Sequence, residues 1–535
     1  MKARQRRTSG TMAVVLLVFG IPAVASCGRA ASSGGTSSGP GALSMEPAAS
    51  ASSSSLPAAS PSSSPTGQAI AAIVAHLSPA QLAGQRLVYS YHGLTPPAYL
   101  LARIRAGRAA GVIVFGRNVG SPAQLRAAVS ALQEAAMQSP VKLPLLVMTD
   151  QEGGLVRRLP GPPGLSERAI GLSAYPAAAA GRAGQAAGLN LRNAGLNVNL
   201  APVLDVVRAP GDFIDRFGRS YGRDPAVVAR LGDDFITAQQ RTGVAATAKH
   251  FPGLGAASAG QNTDKRPVVL RQSLAELRTV DEAPFAAAVG AGVRLVMVSW
   301  ARYPELDPAW PAGLSQNIVQ GELRRRLGFT GVTITDSLGA GALAPYGPPQ
   351  RRAVLAARAG MDLLLCGRGP DAQRGLAGAL RAGQLDRPSF AASVLRVLQL
   401  RRSLAPASTT PQLSPASRTV IAASIHVYFD AINARRFRQA WLQLSPRLRA
   451  TTSVAHLADT DSTTHDFDVA FHSMTAIDDT TAVVYVTFTS TQAASQGPDG
   501  DTRDEWTLDY TMKRVAGRWL IDDVAGHAGS THTSG

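Results

Sequence analysis

Between residues 86 and 367, eight short apolar runs alternate with longer amphipathic stretches, and this rhythm limits the fold more than any other feature of the chain. Strands are expected at Arg86–Tyr91, Gly111–Phe115, Pro144–Thr149, Val198–Leu204, Val244–Ala248, Arg294–Ser299, Val332–Thr335 and Met361–Leu365. Between them, Pro122–Met137, Pro225–Arg241, Leu274–Val289 and Ile318–Leu327 have helical length and periodicity. Gly111, Gly195, Gly243, Gly292, Gly331 and Gly360 stand just before strands, where helix C-caps belong. Eight such units predict an α/β chain folded as a (β/α)8 TIM-type barrel. An open doubly wound sheet is the alternative, but no Gly-x-Gly-x-x-Gly turn follows the first strand.

A barrel gathers the C-terminal ends of its strands at one mouth, and polar residues stand at those ends: Asp150, Asp205, Lys249-His250 and Asp336. A carboxylate held there among cations stays ionised. Asp336, directly after Val332–Thr335, suits a covalent nucleophile at a sugar C1 or a metal ligand; equally, it could cap the next helix. Pro252-Gly253 forces a turn after Lys249-His250, which is expected to display both side chains at the rim rather than bury them. Lys, His and Arg donors suit a substrate with several hydroxyls around one ring. No His-x-x-x-His, His-Glu-x-x-His or phosphate-loop motif occurs, so neither a metal nor another cofactor is expected.

The flanks read differently. Lys2, Arg4, Arg6 and Arg7 precede the apolar run Met12–Val24, which is short for a bilayer span and ends in small residues as a secretory signal does. Val24-Ala25-Ser26-Cys27 resembles a bacterial lipobox, which implies a diacylated Cys27 as mature N-terminus and an extracytoplasmic, membrane-anchored lipoprotein. Cleavage there removes four of the positive charges behind the formal +17, leaving +13. The charge is almost wholly arginine; a solvated surface accounts for it, and no nucleic-acid partner is expected. The expected organisation is a signal at 1–27, a Ser/Ala/Pro-rich tether at 28–67 and the barrel at 68–404. A linker at 405–416, an α+β unit at 417–526 and a tail at 527–535 complete it. With two cysteines in all, Cys366 has no disulfide partner once Cys27 is lipidated.

Five segments in fixed order carry a family resemblance. They are Thr149-Asp150-Gln151-Glu152-Gly153-Gly154, Asn199-Leu200-Ala201-Pro202-Val203-Leu204-Asp205, Arg219-Ser220-Tyr221-Gly222, Lys249-His250-Phe251-Pro252-Gly253 and Thr335-Asp336. Together they resemble the family 3 glycoside hydrolases, in particular short bacterial exo-β-N-acetylglucosaminidases that consist of the barrel alone. The resemblance covers roughly Ala69 to Leu404. It implies a retaining mechanism in which Asp336 matches the nucleophile, while Asp150, Arg158, Arg219, Lys249 and His250 match the groups that hold the non-reducing sugar. Asp205 reads as a structural partner for a nearby cation. The substrate implied is a terminal β-linked N-acetylhexosamine, for which the expected location makes peptidoglycan-derived fragments a natural source; a β-glucosidase-like exo-hydrolase and a catalytically weak carbohydrate-binding lipoprotein are the alternatives.

The chain departs from the pattern in one place. Relatives continue Lys-His-Phe-Pro-Gly-His-Gly and then carry an Asp-Ser-His loop whose histidine is the acid/base. Here the stretch reads Gly253-Leu254-Gly255, and Asn262-Thr263-Asp264-Lys265-Arg266 has no histidine. Asp264 can serve as the acid if burial raises its pKa, an effect that Lys265 and Arg266 are expected to oppose; the alternatives are that another group, not identifiable from sequence, protonates the leaving oxygen, or that the barrel only binds glycosides. After the linker, helix-like Thr419–Ala434 and Phe437–Leu444 precede alternating runs at Thr481–Thr489, Trp506–Lys513 and Arg518–Asp522. That order resembles the nuclear transport factor 2-like domains, with Trp506 and Trp519 read as core.

Overall fold

The computed structural model describes residues 65–367, 369–404, 413–478, 480–496, 501–526 and 533–534. Cys27, the signal, most of the tether and residues 405–412 of the linker lie outside these. The first helix, Pro65–His76, starts slightly before the boundary expected at residue 68.

All eight expected barrel strands form: β1 (Leu87–Tyr89), β2 (Gly111–Ile113), β3 (Leu146–Thr149), β4 (Val198–Asn199), β5 (Thr247–Phe251), β6 (Leu295–Val298), β7 (Val332–Ser337) and β8 (Leu363–Gly367). Every neighbouring pair is parallel, and the order around the sheet is β4-β3-β2-β1-β8-β7-β6-β5. The ends β4 and β5 meet through isolated bridges, Val198 with Ala245 and Val203 with Lys249. Backbone hydrogen bonds cross this seam from the N–H groups of Asn199, Ala245, Thr247, Lys249 and Leu204 to the carbonyls of Ala245, Asn197, Ala201, Pro202 and Lys249, while Pro202 itself has no N–H to donate.

Alternate strand residues divide into two layers. Val88, Ile113, Met148, Val198, Met297 and Ile334 fill the barrel interior, whereas Leu87, Tyr89, Val112, Val147, Val296 and Val298 face the helices. Val397, Leu400 and Leu404, from and just beyond the helix Arg387–Ser403, join the inner cluster. On that helix, buried Arg401 donates to the carbonyls of Leu143 and Pro144, just ahead of β3. The floor is thereby closed, and the polar residues collect at the opposite end. Helices Pro122–Met137 and Pro225–Arg241 have the expected bounds. Gly195, Gly243, Gly292 and Gly360 take positive φ, as C-cap positions require. Gly111 and Gly331 serve a different purpose: a Cβ on either would press on the carbonyl of the adjoining strand.

After the linker, helix Pro415–Asn433 lays Ile421, Ile425 and Phe429 against an antiparallel sheet of four long strands, with a short fifth, Thr533–Ser534, paired to Arg503–Val515. Its strands run in sequence order: β9 (His465–Asp478), β10 (Thr481–Thr491), β11 (Arg503–Val515) and β12 (Arg518–Gly526). Trp519 is buried in this core, and Trp506 packs beside Phe488. Burial pushes the carboxyls of Asp461 and Asp466 up to about 6. Their folded values exceed the unfolded value near 3.9, so their stabilising contribution is present at low pH and is lost as pH rises through about 6. The α+β unit is expected to gain on the order of a few kcal/mol between pH 8 and pH 5. Hydrogen exchange of β10 and β11, corrected for intrinsic rates, checks this; equal protection at both pH values contradicts it.

Candidate active site

The mouth is built outward from β3. Asn199 on β4 accepts the Gln151 N–H at 3.0 Å and donates to the Gln151 carbonyl at 3.1 Å. The Gln151 side chain accepts from Arg158 and Leu159 N–H and donates to the Leu159 and Pro162 carbonyls. These bonds fix a short antiparallel ribbon, Gln151–Gly153 with Val156–Arg157, and so aim Asp150 and Glu152.

Asp150 meets two of the expected sugar-binding cations. The Lys249 ammonium lies 2.9 Å from its Oδ1, and the Arg158 guanidinium Nε lies 3.8 Å from its Oδ2. Glu152, which sequence reasoning did not single out, forms the tighter hub. Arg219 grips it with Nε at 2.8 Å and Nη2 at 2.9 Å, while Lys249 Nζ lies 2.6 Å away. Burial alone would raise the Glu152 carboxyl, but Arg219 and Lys249 pull it down to about 2. Burial works against the charged forms of Lys249 and Arg219 too; Asp150 and Glu152 outweigh it at Lys249, and Glu152 leads at Arg219. One signal could have exposed Glu152. It stands two residues beyond Asp150, hence on the same face of an extended segment.

Lys249 and His250 are not displayed at the rim, contrary to expectation. Both lie within β5, 1% and 6% exposed, and β5 sits three residues later than the apolar run alone suggested. Burial is tolerated because each has a fixed partner. His250 Nδ1 lies 2.7 Å from Asp205 Oδ2, and Asp205 Oδ1 accepts from the N–H groups of His250 and Leu254. Fully buried Asp205 is thus a structural partner, as expected.

Asp336 extends from β7, half-buried, with Oδ1 accepting the Ser337 N–H at 2.6 Å. The following 3-10 helix is N-capped at Ala340, so Asp336 does not cap it. The fully buried Trp300 indole donates to the Ser337 carbonyl at 2.9 Å, fixing the end of the strand from below.

The loop carrying Asp264 is pinned to that same segment. Gly341 N–H donates to the Asp264 carbonyl at 2.8 Å, and Ala342 N–H to the Thr263 carbonyl at 2.9 Å. A Cβ on Gly341 would collide with the Lys265 backbone. Partial desolvation raises the Asp264 carboxyl, Asp336 raises it further, and His250 and Arg219 oppose the shift. Lys265 and Arg266 were expected to supply that opposition. Arg266 instead turns back to the Gly260 carbonyl of its own loop, and the upward shift prevails. Asp264 therefore belongs to the same electrostatic cluster as Asp150, Arg219, His250 and Asp336. Cys366, at the end of β8, directs its thiol to the Val88 carbonyl and takes no part.

The family described as glycosyl hydrolase family 3 N terminal domain matches residues 97–400. A protein from Arthroderma benhamiae named as an uncharacterized secreted glycosyl hydrolase is 45% identical over 344 residues, 63% of this chain and 97% of that protein. A beta-hexosaminidase from Nitrosomonas eutropha is 34% identical over 271 residues, 49% of this chain and 74% of its own length. The solved structure of a glycoside hydrolase family 3 beta-N-acetylglucosaminidase from Paenibacillus sp. aligns with a TM-score of 0.59 at 33% identity, covering 65% of this chain and 68% of that one. With the family match spanning more than half of its length and lying over the barrel and its mouth, this chain belongs to glycosyl hydrolase family 3 and is a glycosidase of the beta-hexosaminidase-like kind.

Proposed function

We propose that the protein is an exported, retaining exo-glycosidase that removes terminal non-reducing β-linked N-acetylhexosamine. Asp336 is the nucleophile and Asp264 the general acid/base. The observation that carries this reading is the placing of Asp264 at the mouth: its loop is tied to the segment that follows Asp336, and its carboxyl is raised by partial desolvation first and by Asp336 second. A carboxyl raised in proton affinity beside a second carboxylate suits the acid of an acid–nucleophile pair.

In the first step Asp336 attacks the sugar C1 as Asp264 gives its proton to the departing oxygen. In the second, Asp264 takes a proton from water, which attacks C1 and frees Asp336. Asp150, Arg158, Arg219, Lys249 and His250 hold the ring hydroxyls, and bonds that tighten as the ring flattens lower the barrier. The names of the Nitrosomonas and Paenibacillus relatives favour N-acetylglucosamine over glucose. The lipobox-like Cys27 supports a membrane-anchored location facing peptidoglycan-derived fragments; palmitate labelling that persists in Cys27→Ser would overturn the anchor. The helices-then-sheet order of the tail supports a nuclear transport factor 2-like unit, to which we assign no catalysis.

The test compares aryl β-N-acetylglucosaminide with aryl β-glucoside. Faster release from the former, with the β-anomer of the free sugar appearing first, is the expected result. Faster release from the glucoside would replace the sugar while keeping the chemistry. No turnover of either by folded protein would point to a carbohydrate-binding protein or to another sugar specificity.

A further inference from the structure

Glu152 is 2% exposed and spends both carboxylate oxygens on cations that the proposed mechanism assigns to the sugar. It is set back from the mouth in a way that Asp150, with its side chain 17% exposed, is not. Asp150 and Glu152 share Lys249, whose ammonium lies 2.9 Å from one and 2.6 Å from the other. Arg219 is held by Glu152 in two-pronged fashion, a geometry that fixes the plane of the guanidinium as well as its place. Without this anion, two buried cations would stand side by side with Asp150 as their nearest counter-charge, and Asp150 would be drawn away from any hydroxyl. Behind Glu152 lies Glu167, also buried, whose Oε1 accepts the Val203 N–H at 2.8 Å. Burial first, and the charge of Glu152 second, raise the Glu167 carboxyl well above its ordinary value. The negative charge of the pair thus rests on Glu152, the member that faces Lys249 and Arg219.

We propose that Glu152 is the positioning residue of the sugar site: it fixes Lys249 and Arg219 and thereby leaves the Asp150 carboxylate available to paired sugar hydroxyls. The inference rests on the reading of the mouth as a sugar site. Glu152 touches no substrate and acts through the two cations.

The test combines activity with a readout that needs no turnover. Glu152→Gln keeps the shape of the side chain and removes the charge; it is expected to lower kcat/KM by about 10- to 100-fold, and Glu152→Asp by less. In a Lys249→Met background, where one of its two cations is gone, the further loss from Glu152→Gln is expected to shrink to a few fold. The full sequence contains only five lysines, so biosynthetic labelling with [13Cε]lysine gives few signals, and the one missing from Lys249→Met identifies residue 249. Removing a neighbouring anion destabilises an ammonium, so this signal should titrate about one pH unit or more lower in Glu152→Gln than in the parent. An unchanged Lys249 titration, or losses that multiply independently in the double variant, would overturn the proposal. If the parent hydrolyses nothing, the functional reading falls and the Lys249 titration alone decides whether Glu152 positions it.

Discussion

Replacing Asp336 by alanine is expected to remove turnover of an aryl β-N-acetylglucosaminide by at least about a thousandfold, a loss of roughly 4 kcal/mol in transition-state stabilisation. An activated aryl group leaves with little protonation, so this substrate reports on bond formation at C1 and is insensitive to the acid. The fold should survive the change. Asp336 accepts one backbone N–H, forms no ion pair among the described residues, and sits on a strand whose end is fixed independently through Trp300. Its removal should therefore cost no more than about 1 kcal/mol of stability. Comparing kcat/KM with a denaturation curve separates the two effects. Activity within tenfold of the parent, in folded protein, would exclude Asp336 as the nucleophile.

Asp264→Asn is expected to give the second large effect, and one that depends on the substrate. For a disaccharide or other poor leaving group the loss should be about 100- to 10,000-fold, because the departing oxygen needs a proton. For an aryl glycoside with a low-pKa leaving group, formation of the glycosyl–enzyme should be barely touched. The pH profile carries the sign. An acid with a raised pKa works while protonated, so kcat/KM on the poor substrate should fall as pH rises through the Asp264 value. That alkaline limb should vanish in Asp264→Asn. Equal losses on good and poor leaving groups would point to another proton donor.

The barrel was legible because its signal is local and repeated. Short apolar runs set the strands, and polar residues at their ends mark the mouth. Features that depend on distant partners were not legible. β5 runs over Lys249 and His250 because Asp150 and Glu152 compensate the Lys249 ammonium and Asp205 takes the His250 ring, and those partners are 45 to 99 residues away in sequence. β4 is far shorter than its apolar run because Pro202 interrupts donation to the ladder. In the tail, the 14-residue strand β9 escaped detection. It pairs with β10 through register breaks at Phe467/Ala470, Phe471/Ser473 and Ala476/Asp478, and each break disturbs the period-two alternation by which a strand is recognised. Among site residues, Glu152 was hidden in plain view, inside a motif whose first carboxylate drew the attention.

The seam between β4 and β5 has an evolutionary corollary. The pairs Lys249–Asp150, Lys249–Glu152 and His250–Asp205 each run from β5 to groups beyond β3 or β4, and so add side-chain clasps to the seam where the two ends of the sheet meet. On the proposed reading of the mouth, natural selection acts on these side chains twice, once for the sugar and once for closure. A lineage that ceased to hydrolyse glycosides would still be penalised for losing them, whereas Asp264 and Asp336 would be free to drift. Among relatives of this chain, the record of lost chemistry is to be sought at those two aspartates and not in the basic cluster beside them.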